Sequence, residues 1–401
     1  MEYSVVSLFS GCGGLDLGFI QAGFNVIWAN DFFNDAVTTY KHNIGKHIVQ
    51  GDITSIPSND IPDNFDILIG GFPCQGFSIA NNKRGMHDER NFLYRELLRV
   101  LRDKKPKFFV AENVKGILSL ENSQVIKMII HDFESIGYKV SYQLLNAVDF
   151  GVPQYRERVI IIGNKINCKN PFPNPTHSGV TNDFFSESLL PYLTTKDVVG
   201  HLYDIRTRDK TFQVNDVTIY NHVARTNVSD LFFGRKYNVN QFDICDYLRG
   251  WRLKKNISVN KIDEILGYKH TAGHWFRKDN NSGSIPNPKD WWALKKILNF
   301  DDLYDKYVTE LAQKQIKFEQ SLRISNWDKP SDTITATGPE IHPNKLRRMS
   351  VRECAILQTF PNDFIFFGSI GNMYKQIGNA VPVTLGRRIA EAIKLEMDNK
   401  E

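Results

Sequence analysis

The chain has 401 residues, 41% hydrophobic and 24% charged, with a net charge of +5. That length can bury a full core and suggests two domains, and the small net charge excludes a polycation as a whole. No apolar stretch approaches the ~18 residues of a membrane span, and the N-terminus lacks a basic leader region, so a cytosolic protein is expected.

In chain order, residues 5–9 read as an apolar strand, 10–14 as a glycine turn, and 15–22 as a helix stopped by Gly23. A second strand over 25–29 leads to Asp31, a helix covers 34–41, and a third strand over 47–50 leads to Asp52. Residues 65–69, apolar but for Asp66, read as a buried parallel strand, which stops at Gly70-Gly71-Phe72-Pro73-Cys74. A helix over 92–101, a strand over 108–111 delivering Glu112, a helix over 125–136 and strands over 140–145 and 159–162 follow. The alternation predicts an α/β fold with a doubly wound, mostly parallel sheet.

Ligands of such sheets sit beyond the carboxyl ends of the strands, where this chain places its glycine turn, Asp31, Asp52, Cys74 and Glu112. Cys74 is therefore a candidate nucleophile, although a buried, inert cysteine is the ordinary state of that residue. The turn lacks the third glycine of a dinucleotide fingerprint, because Asp16 stands there, which favours a cofactor with one nucleoside and no pyrophosphate. Five cysteines, at 12, 74, 168, 245 and 354, are odd in number and contain no C-x-x-C pair, so neither a disulfide framework nor a structural metal is supported.

Residues 231–300 hold 13 Lys and Arg against 6 Asp and Glu, interleaved with Trp251, Trp275, Phe276, Arg277, Trp291 and Trp292. That mixture suits a nucleic-acid footprint, with a solvated face as the plainer alternative and packing an equal claim on Trp291 and Trp292.

The ordered series Phe9-Ser10-Gly11-Cys12-Gly13-Gly14-Leu15, Gly51-Asp52-Ile53, Gly71-Phe72-Pro73-Cys74-Gln75-Gly76-Phe77-Ser78, Glu112-Asn113-Val114, Gln154-Tyr155-Arg156-Glu157-Arg158 and Tyr374-Lys375-Gln376-Ile377-Gly378-Asn379 resembles the bacterial-type DNA (cytosine-5)-methyltransferases. The resemblance implies a catalytic domain over 1–164, a smaller mixed target-recognition domain over 165–340, and a return segment with a C-terminal helix over 341–401 that completes the catalytic domain. It implies S-adenosyl-L-methionine as cofactor, S-adenosyl-L-homocysteine as product, no metal, and double-stranded DNA as substrate. A monomer is expected, with a separately acting restriction endonuclease as a candidate partner. A tRNA methyltransferase of the same fold and a noncatalytic DNA-binding relative are the alternatives.

The roles carry over residue by residue. Cys74 would add to C6 of a flipped cytosine, Glu112 would protonate or hydrogen-bond N3, and Arg158 would orient O2. Phe9, Ser10, Gly11, Gly13, Gly14, Leu15, Asp31, Asp52, Ile53, Leu93 and Asn379 would hold the cofactor. Gln75, Ser78, Arg90 and Arg156 are expected toward the DNA, Arg156 either supporting structure or meeting phosphate, and Arg277 is the candidate within the basic segment. Asp31 stands where many relatives have Glu, which puts the ribose contact in question, and Asn91 replaces a common Gly.

Overall fold

The computed structural model describes residues 2–73, 93–179, 189–208, 211–214, 216–226, 241–272, 287–306, 308, 324–336, 338–344 and 346–400. They fall into two compact units, one of Met1–His222, Asp328–Ala336 and Val351–Glu401, the other of Val223–Trp327 and Thr337–Ser350.

The first unit is built on a seven-stranded sheet of β1 (Ser4–Leu8), β2 (Asn25–Asp31), β3 (Ile48–Gln50), β4 (Ile67–Gly71), β5 (Phe108–Val114), β6 (Lys139–Asn146) and β7 (Glu157–Asn164). The spatial order is β3-β2-β1-β4-β5-β7-β6. β1 to β5 pair in parallel, and β7 alone runs against its neighbours. Only residues 147–156 join β6 to β7, too short for a crossover, so the chain returns antiparallel.

The apolar runs are explained by burial on both faces. Val6, Leu68 and Phe109 pack to one side with Leu97, Ile129 and Phe133, while their sequence neighbours Val5, Ile67 and Phe108 pack to the other with Phe19, Leu385 and Ile389. Helices α1 (Gly14–Gln21), α2 (Asn34–Asn43), α3 (Tyr94–Lys104) and α4 (Gln124–Ser135) lie close to the bounds predicted from spacing. A short α5 (Thr195–Val199) opens on a capping box between Thr194 and Asp197.

In the second unit, α6 (Gln241–Lys254), α7 (Val259–Leu266) and α8 (Pro288–Leu298) enclose a small core. Trp291 is wholly buried there and donates its indole N–H to Asp305 at 2.8 Å, whereas Trp292 is 42% exposed. One of the two adjacent tryptophans therefore packs and the other faces solvent.

The chain then returns to the first unit through α9 (Val351–Leu357), α10 (Ile370–Asn379) and α11 (Val383–Asp398). α11 lies against α1 so closely that a Cβ on Gly18 would fall 2.5 Å from the Arg387 amide nitrogen. Tyr3 also donates its hydroxyl to Asp398, so the first strand and last helix are joined directly.

Candidate active site

Beyond β1 the backbone passes through Phe9, Gly11 and Gly13 at φ of 56°, 56° and 91°. The left-handed region is open to glycine but strained for phenylalanine, and such strain concentrates at functional sites. A Cβ on Gly11 would meet nothing within 4 Å among the described residues, one on Gly13 would strike Tyr40 and Ile44, and one on Gly14 would lie 2.4 Å from the Val381 carbonyl oxygen. The turn is thus packed tightly beneath and open above Gly11, a place where a ligand can approach the main chain.

Asp31 at the end of β2 borders this space. Its Oδ2 accepts the Gly11 N–H and its Oδ1 the Phe33 N–H, both at 2.8 Å. Burial pushes its carboxyl above the ordinary value, opposed by those backbone donors and by Lys375, whose ammonium lies 4.4 Å from the Phe33 ring centre. The shorter side chain therefore anchors the carboxylate to the turn itself, and each oxygen retains a lone pair for a hydroxyl.

The other expected cofactor residues fall into several settings. Ser10 is partly buried in the turn, and Leu15 is buried at the start of α1. Asp52 is exposed and accepts the Thr54 N–H at 3.0 Å, while Ile53 beside it is buried. Leu93 is half-buried just before α3, and Asn379 is exposed at the end of α10. Phe32, absent from the expected set, is 66% exposed directly after Asp31. An unburied aromatic next to a strand-terminal acid is the signal that could have found it. A carboxylate, an open glycine turn and an exposed ring together can hold a nucleoside.

A second cluster lies along β4, β5 and β7. Arg158 Nε sits 2.7 Å from Glu112 Oε1, with both side chains 11% exposed. Burial pulls the Arg158 guanidinium below its usual value, and Glu112 offsets this. Register places Gly71 opposite Glu112, and a Cβ there would come within 2.9 Å of Glu112 Oε2. Asn113 Nδ2 donates to the Phe72 carbonyl at 3.1 Å, tying the end of β4 to β5 one residue before Pro73. Gly71 and Asn113 were not singled out as site residues, although both belong to the motifs that carry the resemblance.

Cys74 follows Pro73 in sequence and lies outside the described residues, as do Gln75, Ser78, Arg90 and Arg277. Arg156, expected either to support structure or to meet phosphate, is fully buried, donating from Nη1 to the Ile334 carbonyl and from Nη2 to those of Gly378 and Ala380, and so ties these segments together.

The parallel sheet, with its glycine turn after β1 and an acid after β2, defines the class of S-adenosylmethionine-dependent methyltransferases. The family model for C-5 cytosine-specific DNA methylases matches residues 3–395. The type II methyltransferase M.NgoFVII of Neisseria gonorrhoeae is 35% identical over 386 residues, covering 94% of this chain and 83% of that one. M.FnuDI of Fusobacterium nucleatum is 33% identical over 423 residues, covering 99% and 96%. Among solved structures, a prophage-encoded E. coli protein superposes with a TM-score of 0.60 at 23% identity, covering 99% of this chain and 100% of that one, a likeness of fold. The chain belongs to the C-5 cytosine-specific DNA methylase family and is a DNA (cytosine-5)-methyltransferase.

Proposed function

We propose that the protein methylates C5 of a cytosine flipped out of a specific double-stranded DNA sequence, by way of a covalent Cys74 adduct, as the modification enzyme of a restriction-modification system or as an orphan methyltransferase. The observation that carries this is the Glu112–Arg158 pair, held at 2.7 Å beside the strand that leads into Cys74.

C5 of cytosine is a poor nucleophile until C6 is attacked. The Cys74 thiolate adds to C6, forming a C–S bond, and electron density moves toward N3 and C5. Glu112 gives a proton or hydrogen bond to N3, and Arg158 fixes O2 and offsets the charge there. S-adenosyl-L-methionine, when bound, supplies the electrophilic methyl group. H5 then leaves as a proton and the C–S bond breaks by elimination, releasing Cys74. Unstacking the base costs a few kcal/mol, offset by contacts to the pocket and backbone.

For the cofactor, the open space above Gly11 and the remaining lone pairs of Asp31 fit a nucleoside that bears an amino acid through its sulfur, with Asp31 receiving ribose hydroxyls. Phe9 and Phe32 would border the adenine, Asp52 and Ile53 its edge, and Leu93 and Asn379 further surfaces. Residues 165–340 would carry target recognition, since they hold the basic and aromatic excess and none of the quoted motifs.

A duplex carrying 5-fluorocytosine at the target cannot lose its C5 substituent, so it should trap a stable adduct on Cys74 only when cofactor is present. Peptide mapping by mass spectrometry reads the site. An adduct on Cys12 or Cys354, or none, overturns the reading.

A further inference from the structure

Behind the glycine turn runs a hydrogen-bond chain that the methylation steps do not use. Ser10 Oγ donates to Ser7 Oγ at 2.9 Å, Ser7 Oγ to Asp16 Oδ1 at 2.8 Å, and Tyr40 Oη to Asp16 Oδ2 at 2.8 Å. The Tyr40 hydroxyl lies 3.0 Å from His47 Nε2, the rings edge to face. Ser7, Asp16 and Tyr40 are buried, and His47 is half-buried. The chain thus runs from the turn, through β1, α1 and α2, to the loop before β3.

Counting protons fixes its direction. An ionised Asp16 only accepts, so Ser7 and Tyr40 both donate to it, Ser10 donates to Ser7, and His47 donates through Nε2–H to Tyr40. Every bond then points at Asp16, and Ser10 offers lone pairs alone to the space above the turn. A protonated Asp16 must give its hydrogen to Ser7 or Tyr40, reversing that arm. Through Ser7, the reversal takes the Ser7 hydroxyl away as acceptor and leaves the Ser10 O–H to the Ser7 carbonyl, 3.3 Å away, or to the space above the turn.

We infer that Asp16 is a positioning residue, orienting the Ser10 hydroxyl through Ser7 so that its acceptor face meets the ammonium end of the methyl donor; this rests on reading residues 10–14 as the donor's seat. Burial pushes the Asp16 carboxyl up to about 6, against the hydrogen bonds from Ser7 and Tyr40, so both forms fall within reach of solution pH. Four ionisable groups adjoin the chain, with Lys375 beyond Asp31. Burial, with Asp31 and Asp16, drives the Cys12 thiol up, and burial with Asp16 does the same for Tyr40, so neither ionises near neutrality. Asp31, raised by burial, and His47, lowered by burial, are the other groups to separate from Asp16.

The test is calorimetric titration of the full chain with S-adenosyl-L-methionine from pH 5.5 to 7.5. In Asp16→Asn the amide must donate into one arm at every pH. The variant should bind about tenfold more weakly at pH 7.5, the cost of one misdirected buried hydrogen bond. Wild-type affinity should fall as pH drops through about 6, and the variant's should stay flat. Equal affinity at pH 7.5, or an acid limb that survives in Asp16→Asn and so belongs to Asp31 or His47, overturns the inference alone. A wild type that binds no S-adenosyl-L-methionine at any pH overturns the reading of the turn as well. Should Asp16→Asn not fold, His47→Leu at the solvent end removes the outer donor and should move the acid limb to higher pH; an unmoved limb is refuting.

Discussion

Asp16 also permits a quantitative test that needs no ligand. Its carboxyl is raised by burial from 3.8 to about 6. The folded chain therefore binds this proton more tightly than the unfolded chain does. The associated stability is fully present below pH 3.8 and is lost as pH rises through about 6. A rise from 3.8 to about 6 corresponds to ~3 kcal/mol lost by pH 7.5, of which roughly half has returned by pH 5. Because the group is wholly buried, solvent screening does not dilute the figure. Asp16→Asn keeps the shape and removes the titration. Its altered hydrogen bonds add an offset that does not vary with pH, so the informative quantity is the slope. Urea denaturation of both proteins between pH 5 and 7.5 should show the stability difference moving toward the wild type by roughly 1 kcal/mol on acidification. A difference independent of pH, or one moving the other way, refutes the reasoning.

Cys74→Ser should abolish methyl transfer while DNA binding persists, read by tritium incorporation beside a mobility shift, since a hydroxyl is a far weaker nucleophile. Glu112→Gln should slow single-turnover chemistry by about 10²- to 10⁴-fold with DNA affinity little changed, because an amide can hydrogen-bond N3 but cannot give up a proton. Gly71→Ala places a methyl 2.9 Å from Glu112 Oε2 and should displace that carboxylate, with turnover falling about 10²-fold and the melting temperature nearly unchanged. Transferring residues 165–340 into a relative should transfer the methylated sequence, read by bisulfite sequencing; a chimera keeping the recipient's target would refute that placement.

The parallel core was legible because its strands are buried on both faces. Residues 67–69 and 108–111 are continuous apolar runs, and the polar residues that end strands of the sheet, Asp31 and Glu112 among them, mark its carboxyl edge. The chain around Asp16 was not legible. On sequence, Asp16 registers only as a missing third glycine, because its partners Ser7, Tyr40 and His47 come from three other elements that the fold alone brings together. Gly18 likewise gives no local sign that its hydrogen faces the Arg387 amide nitrogen, on a helix at the far end of the chain.

Arg156 and Arg158 show the same limit within one pentapeptide. Both are arginines in Gln-Tyr-Arg-Glu-Arg, separated by a single residue, and apart from the family resemblance, which assigns O2 to Arg158, local pattern gives no ground for dividing their roles. The division comes from what arrives later in the chain. Residues 334, 378 and 380 present carbonyl oxygens to Arg156, occupying both terminal nitrogens and leaving Nε without a partner among the described residues. Arg158 instead faces a carboxylate. Burial and the neighbouring Arg158 charge both pull the Arg156 guanidinium far below its usual value. A buried cation held only by carbonyls is costly, and replacing such a group with an apolar side chain can be neutral for stability. Its value lies in geometry: one rigid fork fixes the β7 approach against the returning helices, so that the next inward-facing side chain, Arg158, meets Glu112.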